Sequence, residues 1–213
     1  MYIACLDLEG VLIPEIWIGL AERTGIDALR ATTRDIPDYD ELMSLRLGLL
    51  AENDLTLRDL EAVVSGLTPL DGAAEFLDWL RGQCQVAILS DTFYELANPL
   101  MAQLGYPLLM CHRLEVDEAG RVTAYRLRQR DPKRRVVEAF QALNFKTVAA
   151  GDSYNDTTML AQADAGILFC PPENVVREFP AFPVCRDYAE LQTAIAEVLA
   201  NEPAESTPVR AAG

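Results

Sequence analysis

Three short apolar runs, "YIACLDLE" (residues 2–9), "CQVAILSDT" (84–92) and "FKTVAAGDS" (145–153), share one layout: small and branched apolar residues that stop at acids and hydroxyls. Runs of this length and composition read as buried strands, and "AGILFC" (165–170) makes a fourth. Between the second and third lie "YELANPLMAQLG" and "DPKRRVVEAFQALN", both helical in period. Strands alternating with helices predict an α/β fold: a doubly wound, Rossmann-like parallel sheet covered on both faces. An ionised carboxylate at the end of a buried strand loses hydration, so Asp7 and Glu9 need a compensating role there.

Two segments break the alternation. Residues 14–68 hold no strand pattern; "PEIWIGLAERTG", "YDELMSLRLGLLAEND" and "TLRDLEAVVSGL" read as helices, with Gly25 as a stop signal and Thr56/Asp59 as a start signal. This predicts a small helical insertion after the first strand, with the core formed by residues 1–13 and 69–200. Residues 108–128 alternate with period two around "DEAG" and predict a β-hairpin. The tail, 201–213, lacks apolar periodicity and is expected to be disordered.

Bulk properties exclude several function classes. A net charge of -15 repels nucleic acid and anionic membranes, so an anionic substrate would need a cation or a few placed Arg and Lys. No basic leader or bilayer-length apolar run is present. The cysteines (Cys5, Cys84, Cys111, Cys170, Cys185) form no CxxC pair and read as reduced, buried thiols of a cytoplasmic protein. One histidine, His112, rules out a His-metal cluster; its apolar setting points to a structural role, leaving acid–base chemistry to carboxylates. Trp17 and Trp79 are expected in the core or an interface.

In an open parallel sheet, ligands bind beyond the carboxyl ends of the strands. That rule brings Asp7, Ser90 and Asp152 into one cleft, although each taken alone could be a turn or helix-cap residue. With Glu9 and Asp156 the cleft would crowd four carboxylates together. Two unit charges about 4 Å apart repel by roughly 4 kcal/mol at an effective dielectric of about 20, so the cluster needs a cation. All-oxygen ligands without His or Cys favour Mg²⁺ over Zn²⁺. A Mg²⁺-bearing cleft with Lys133 and Ser90 suits a phosphate group, while GxGxxG and Gly-Lys-Ser/Thr loops are absent.

The four-part pattern "DLEGV", "LSDT", "DPK" and "GDSYND" resembles the haloacid dehalogenase-like superfamily, with all four of its motifs in order. The insertion and the hairpin resemble the cap arrangement of its phosphoserine phosphatase branch. Glu9, where the superfamily usually has a second Asp, is similar to the phosphoserine phosphatase/homoserine phosphotransferase group. The resemblance implies a haloacid dehalogenase core with a small helical cap. Asp7 would be the nucleophile, and Asp7, the Glu9 carbonyl and Asp152 would bind Mg²⁺. Ser90, Lys133, the Asp91 backbone and Asn155 would hold phosphoryl oxygens. Asp156 would orient Lys133 or a metal-bound water. Glu15 and Arg46 would take the ammonium and carboxylate of the substrate, and Glu9 would be the general acid and base.

The implied substrates are O-phospho-L-serine and L-homoserine, in amino-acid biosynthesis, with a homodimer as one open assembly. Bland readings remain beside these roles: Glu15 as a first-turn acid, Arg46 on a solvated helix face, Lys133 in a surface basic patch. The alternative functions are a phosphatase for another small phosphomonoester and a non-catalytic phosphate-binding regulator. A dehalogenase would leave Glu9 and Asp152 idle.

Overall fold

The structure, a computed structural model, describes residues 1–32, 35, 36 and 38–201. Of the expected loose tail, all but Asn201 lies outside the described residues. The strands are β1 (Tyr2–Leu6), β2 (Gln85–Phe93), β3 (Leu108–Val116), β4 (Val122–Arg126), β5 (Lys146–Gly151), β6 (Ala165–Phe169) and β7 (Val184–Cys185). They form one sheet in the order β4-β3-β2-β1-β5-β6-β7, parallel throughout except for β4, which returns antiparallel to β3 as the expected hairpin. The helices are α1 (Ile16–Thr24), α2 (Tyr39–Glu52), α3 (Leu57–Val64), α4 (Ala73–Arg81), α5 (Tyr94–Gln103), α6 (Pro132–Ala142), α7 (Thr157–Gln162), α8 (Glu173–Glu178) and α9 (Tyr188–Ala200). Thus α4, α7, α8, β7 and α9 extend the core beyond the elements read from the sequence.

Alternation along β1 explains the two-sided core. Ala4 and Leu6 point to one face, where α4 and α9 supply Phe76, Leu80, Leu191 and Ile195. Ile3 and Cys5 point to the other, where α6 and α7 supply Val136, Val137, Met159 and Leu160. Both faces are sealed, which is why these strands read as continuous apolar runs. The insertion carries α1, α2 and α3. Gly25 ends α1 in the left-handed conformation (φ 73), and Thr56 and Asp59 form a capping box that starts α3. The turn of the hairpin reaches this insertion: the Leu57 N–H donates to the Gly120 carbonyl at 2.8 Å.

The expectation of buried thiols changes at two positions. Cys5, Cys111 and Cys185 are buried, but Cys84 is half-buried and Cys170 exposed, because "AGILFC" ends its strand at Phe169 and Cys170 turns outward in a left-handed conformation (φ 46). All five thiols are free. Among the described residues, no helix is long and apolar enough to cross a membrane.

Candidate active site

Register places the three polar strand ends together. Leu6 of β1 pairs with Ile88 of β2 and Ala150 of β5. Asp7, Ser90 and Asp152 follow one or two residues later, and the Asp7 N–H still bonds to the Ala150 carbonyl at 2.9 Å. Lys133 comes from α6, whose start is set by a left-handed Asp131 (φ 49) and by Pro132 in the first turn. The lysine is only 2 % exposed, so it is no surface basic patch.

Its ammonium meets three carboxylates: Asp7 Oδ1 at 2.9 Å, Asp156 Oδ1 at 2.7 Å and Asp91 Oδ2 at 3.5 Å. Burial works against a charged lysine, but Asp156, Asp7 and Asp91 outweigh it and hold the proton firmly. Asp7 is pushed well above the usual carboxylate range, first by burial and then by the charges of Asp156 and Asp152, with Lys133 opposing. Its Oδ1 also accepts the Leu8 N–H at 2.7 Å.

Oxygens of Asp7, Asp152 and Asp156 lie within 4.8 Å of one another, so the triad could hold a metal ion. The two oxygens of Asp156 are engaged, one by Lys133 and the other by the N–H groups of Asp152 (3.0 Å) and Ser153 (3.1 Å). Asp156 is therefore committed to Lys133 and the backbone. Two glycines keep this corner open. A Cβ at Gly10, whose φ is +77°, would lie 2.7 Å from Asp152 Cγ, and one at Gly151 would lie 2.4 Å from Asp156 Cβ.

Beside the triad is a cavity of about 110 Å³, lined among others by Asp7, Glu9, Glu15, Arg46, Ser90 and Asp152. The Glu9 carboxyl is raised to about 8 by burial and then by Glu15, against the Ile16 N–H that it accepts at 2.9 Å and the charge of Arg46. Arg46 is 7 % exposed, not on a solvated face. Its guanidinium sits 4.5 Å over the Trp17 ring and one Nη donates to the Ala31 carbonyl at 3.0 Å. Its Nε is buried with no hydrogen-bond partner among the described residues. Trp17 is in the core as expected, yet it also carries Arg46. Sequence alone gave it no part in the site, because the pairing depends on how α1 packs against α2.

The Asp91 side chain was also missed. Asn155 Nδ2, expected on phosphate, donates to Asp91 Oδ2 at 2.7 Å, and His112 Nε2 lies 3.4 Å from Asp91 Oδ1. Burial alone would raise the Asp91 carboxyl; Lys133 and the hydrogen bonds from His112 and Asn155 hold it well below the usual range instead. Tyr39 of α2 donates to the Asp91 carbonyl at 3.1 Å. A second, open cleft of about 840 Å³ shares Tyr39, Asp91 and Asn155 with the smaller cavity and reaches Lys133.

A family model for haloacid dehalogenase-like hydrolases matches residues 4–164, spanning all of these groups. The chain belongs to the haloacid dehalogenase-like hydrolases. A phosphoserine phosphatase named ThrH from Pseudomonas aeruginosa is 64% identical to this hydrolase over 192 residues, covering 90% of this chain and 94% of that protein. A phosphoserine phosphatase from Pseudomonas syringae pv. tomato is 65% identical over 190 residues, covering 89% and 80%. Among solved structures, a phospho-aspartyl intermediate analogue of phosphoserine phosphatase superposes with a TM-score of 0.76 at 23% identity, covering 91% of this chain and 98% of that one. That likeness is one of fold.

Proposed function

We propose that this hydrolase is a Mg²⁺-dependent phosphoserine phosphatase that also passes the phosphoryl group from O-phospho-L-serine to L-homoserine. The observation that carries the substrate choice is Arg46: a buried guanidinium with an unpartnered Nε lines the same cavity as Asp7 and Glu15. A buried donor left unpaired is costly, and a substrate carboxylate would relieve it while Glu15 meets the ammonium. The names of the Pseudomonas relatives agree. Residues 14–68 then form a cap over the core of residues 1–13 and 69–200. Its acidic balance and free thiols suit a cytoplasmic enzyme.

In this reading a carboxylate oxygen of Asp7 bonds to phosphorus and the bond to the serine oxygen breaks. Glu9 gives that oxygen a proton. The aspartyl-phosphate is then attacked by water or by the homoserine hydroxyl, whose proton returns to Glu9, and Asp7 is regenerated. Lys133, Ser90 and Asn155 bind the phosphoryl oxygens. Asp7, Asp152 and the Glu9 carbonyl would hold Mg²⁺, which when bound offsets the negative charge of nucleophile and phosphoryl group.

The deciding experiment follows phosphate release and phosphohomoserine formation together, over a panel of phospho-amino acids and p-nitrophenyl phosphate with Mg²⁺. Phosphoserine should be the best donor and Asp7→Asn should be inactive. Equal rates for unrelated phosphates would remove the Glu15/Arg46 assignment, and an active Asp7→Asn would remove the covalent step.

A further inference from the structure

We propose that the Asp91 carboxylate is a built-in stand-in for the phosphoryl group, which substrate displaces and which His112 then retains. The inference rests on the reading above, in which Lys133 and Asn155 receive phosphoryl oxygens. An ammonium has three N–H donors, and those of Lys133 face Asp156, Asp7 and Asp91. A phosphoryl oxygen must take one of them. Asp156 is locked, since its second oxygen accepts two backbone N–H groups. Asp7 is the attacking group. Asp91 makes the longest contact, 3.5 Å, with a side chain that is 25% exposed, so it yields.

The same Asp91 Oδ2 occupies the Asn155 amide at 2.7 Å, the second donor that phosphate would use. Its Oδ1 faces His112, which is 2 % exposed. The His112 Nδ1 accepts the Arg128 N–H at 3.1 Å, which places the proton of the neutral ring on Nε2, toward Asp91. His112 is thus a positioning residue that holds Asp91 when Lys133 and Asn155 turn to the ligand. A carboxylate that competes for this cradle weakens both substrate and product phosphate, and so speeds phosphate release.

The test is the Kd of inorganic phosphate by titration calorimetry with Mg²⁺ present. Asp91→Asn, close to isosteric, should bind phosphate at least tenfold more tightly and lower both KM and kcat for phosphoserine. His112→Leu should weaken phosphate severalfold, and His112→Gln, which keeps a donor near Nε2, should restore it. In the Asp91→Asn background, His112→Leu should no longer matter. Unchanged or weaker phosphate binding by a folded Asp91→Asn protein overturns the proposal; Asp91→Ser serves the same comparison if the first variant melts early. Failure of the wild type to release phosphate from any ester would instead defeat the phosphotransfer reading.

Discussion

In the proposed function one side chain, Arg46, holds the specificity. Its carboxylate contact would be charge-assisted and buried, worth about 1.5–3 kcal/mol. Arg46→Met should therefore raise KM for phosphoserine about 10- to 100-fold while leaving p-nitrophenyl phosphate turnover nearly intact; a parallel loss on both substrates would reassign Arg46 to structure. In the proposed function Glu9 is the second residue with a separable role. The longer Glu would reach the acceptor oxygen differently from Asp, so Glu9→Asp should raise the ratio of hydrolysis to transfer, read from phosphate against phosphohomoserine. A constant ratio would discard that explanation.

A third case concerns pH. Burial alone would raise the Asp164 carboxyl, but hydrogen bonds from the Thr147 N–H (2.7 Å) and hydroxyl (2.8 Å) and from Gln141 hold it below its usual range. A depressed carboxyl stabilises above its unfolded pKa and loses that contribution as pH falls through the folded one. Asp164 is exposed, so screening limits the effect to roughly 0.5–1 kcal/mol. The melting-temperature gap between wild type and Asp164→Ala should be present at pH 7 and close as pH falls below the usual carboxylate range.

At the scale of elements, the turn after β1 carries the tightest constraint. Gly10→Ala would strain a left-handed backbone by about 1–2 kcal/mol and drive a Cβ into Asp152. In the proposed function Asp152 holds the metal, and displacing such a carboxylate by an ångström can lower turnover about a hundredfold, so a fully active Gly10→Ala would count against that role. Much of this level was legible in the sequence. Asp7, Ser90 and Asp152 announce themselves because each closes an apolar run, and such runs in a parallel sheet converge at their carboxyl ends, although β2 itself continues past Ser90 to Phe93. Thr56 and Asp59 announce a helix start because capping is local chemistry. Asp91 and His112 do not, because their meeting needs the register that sets Phe93 of β2 opposite His112 of β3. Arg46 is named by the family resemblance, but its burial is not legible from periodicity, because α2 is apolar on more than one side.

Across the whole molecule, the clustered acids store repulsion that a divalent ion would relieve. A ligand at about 100 times its Kd stabilises the folded chain by about 2.7 kcal/mol. Mg²⁺ should therefore raise the melting temperature by about 5 °C or more. Asp152→Asn should melt higher than wild type without Mg²⁺ and gain little from it. Equal Mg²⁺ shifts in both proteins would place the ion elsewhere.

β3 serves two partners in succession. From Leu108 to Met110, and again at His112, it pairs with β2 of the core; from Arg113 onward it pairs with β4. The Tyr125 hydroxyl of β4 in turn bonds to Asp40 of α2. The histidine behind Asp91 thus stands at the fulcrum of a lever whose long arm is fastened to the helical insertion. With the Tyr39 hydroxyl on the Asp91 carbonyl, the insertion is tied to Asp91 both directly and by way of the hairpin and His112. In the proposed function a tilt of that arm would therefore change how tightly the anion is gripped.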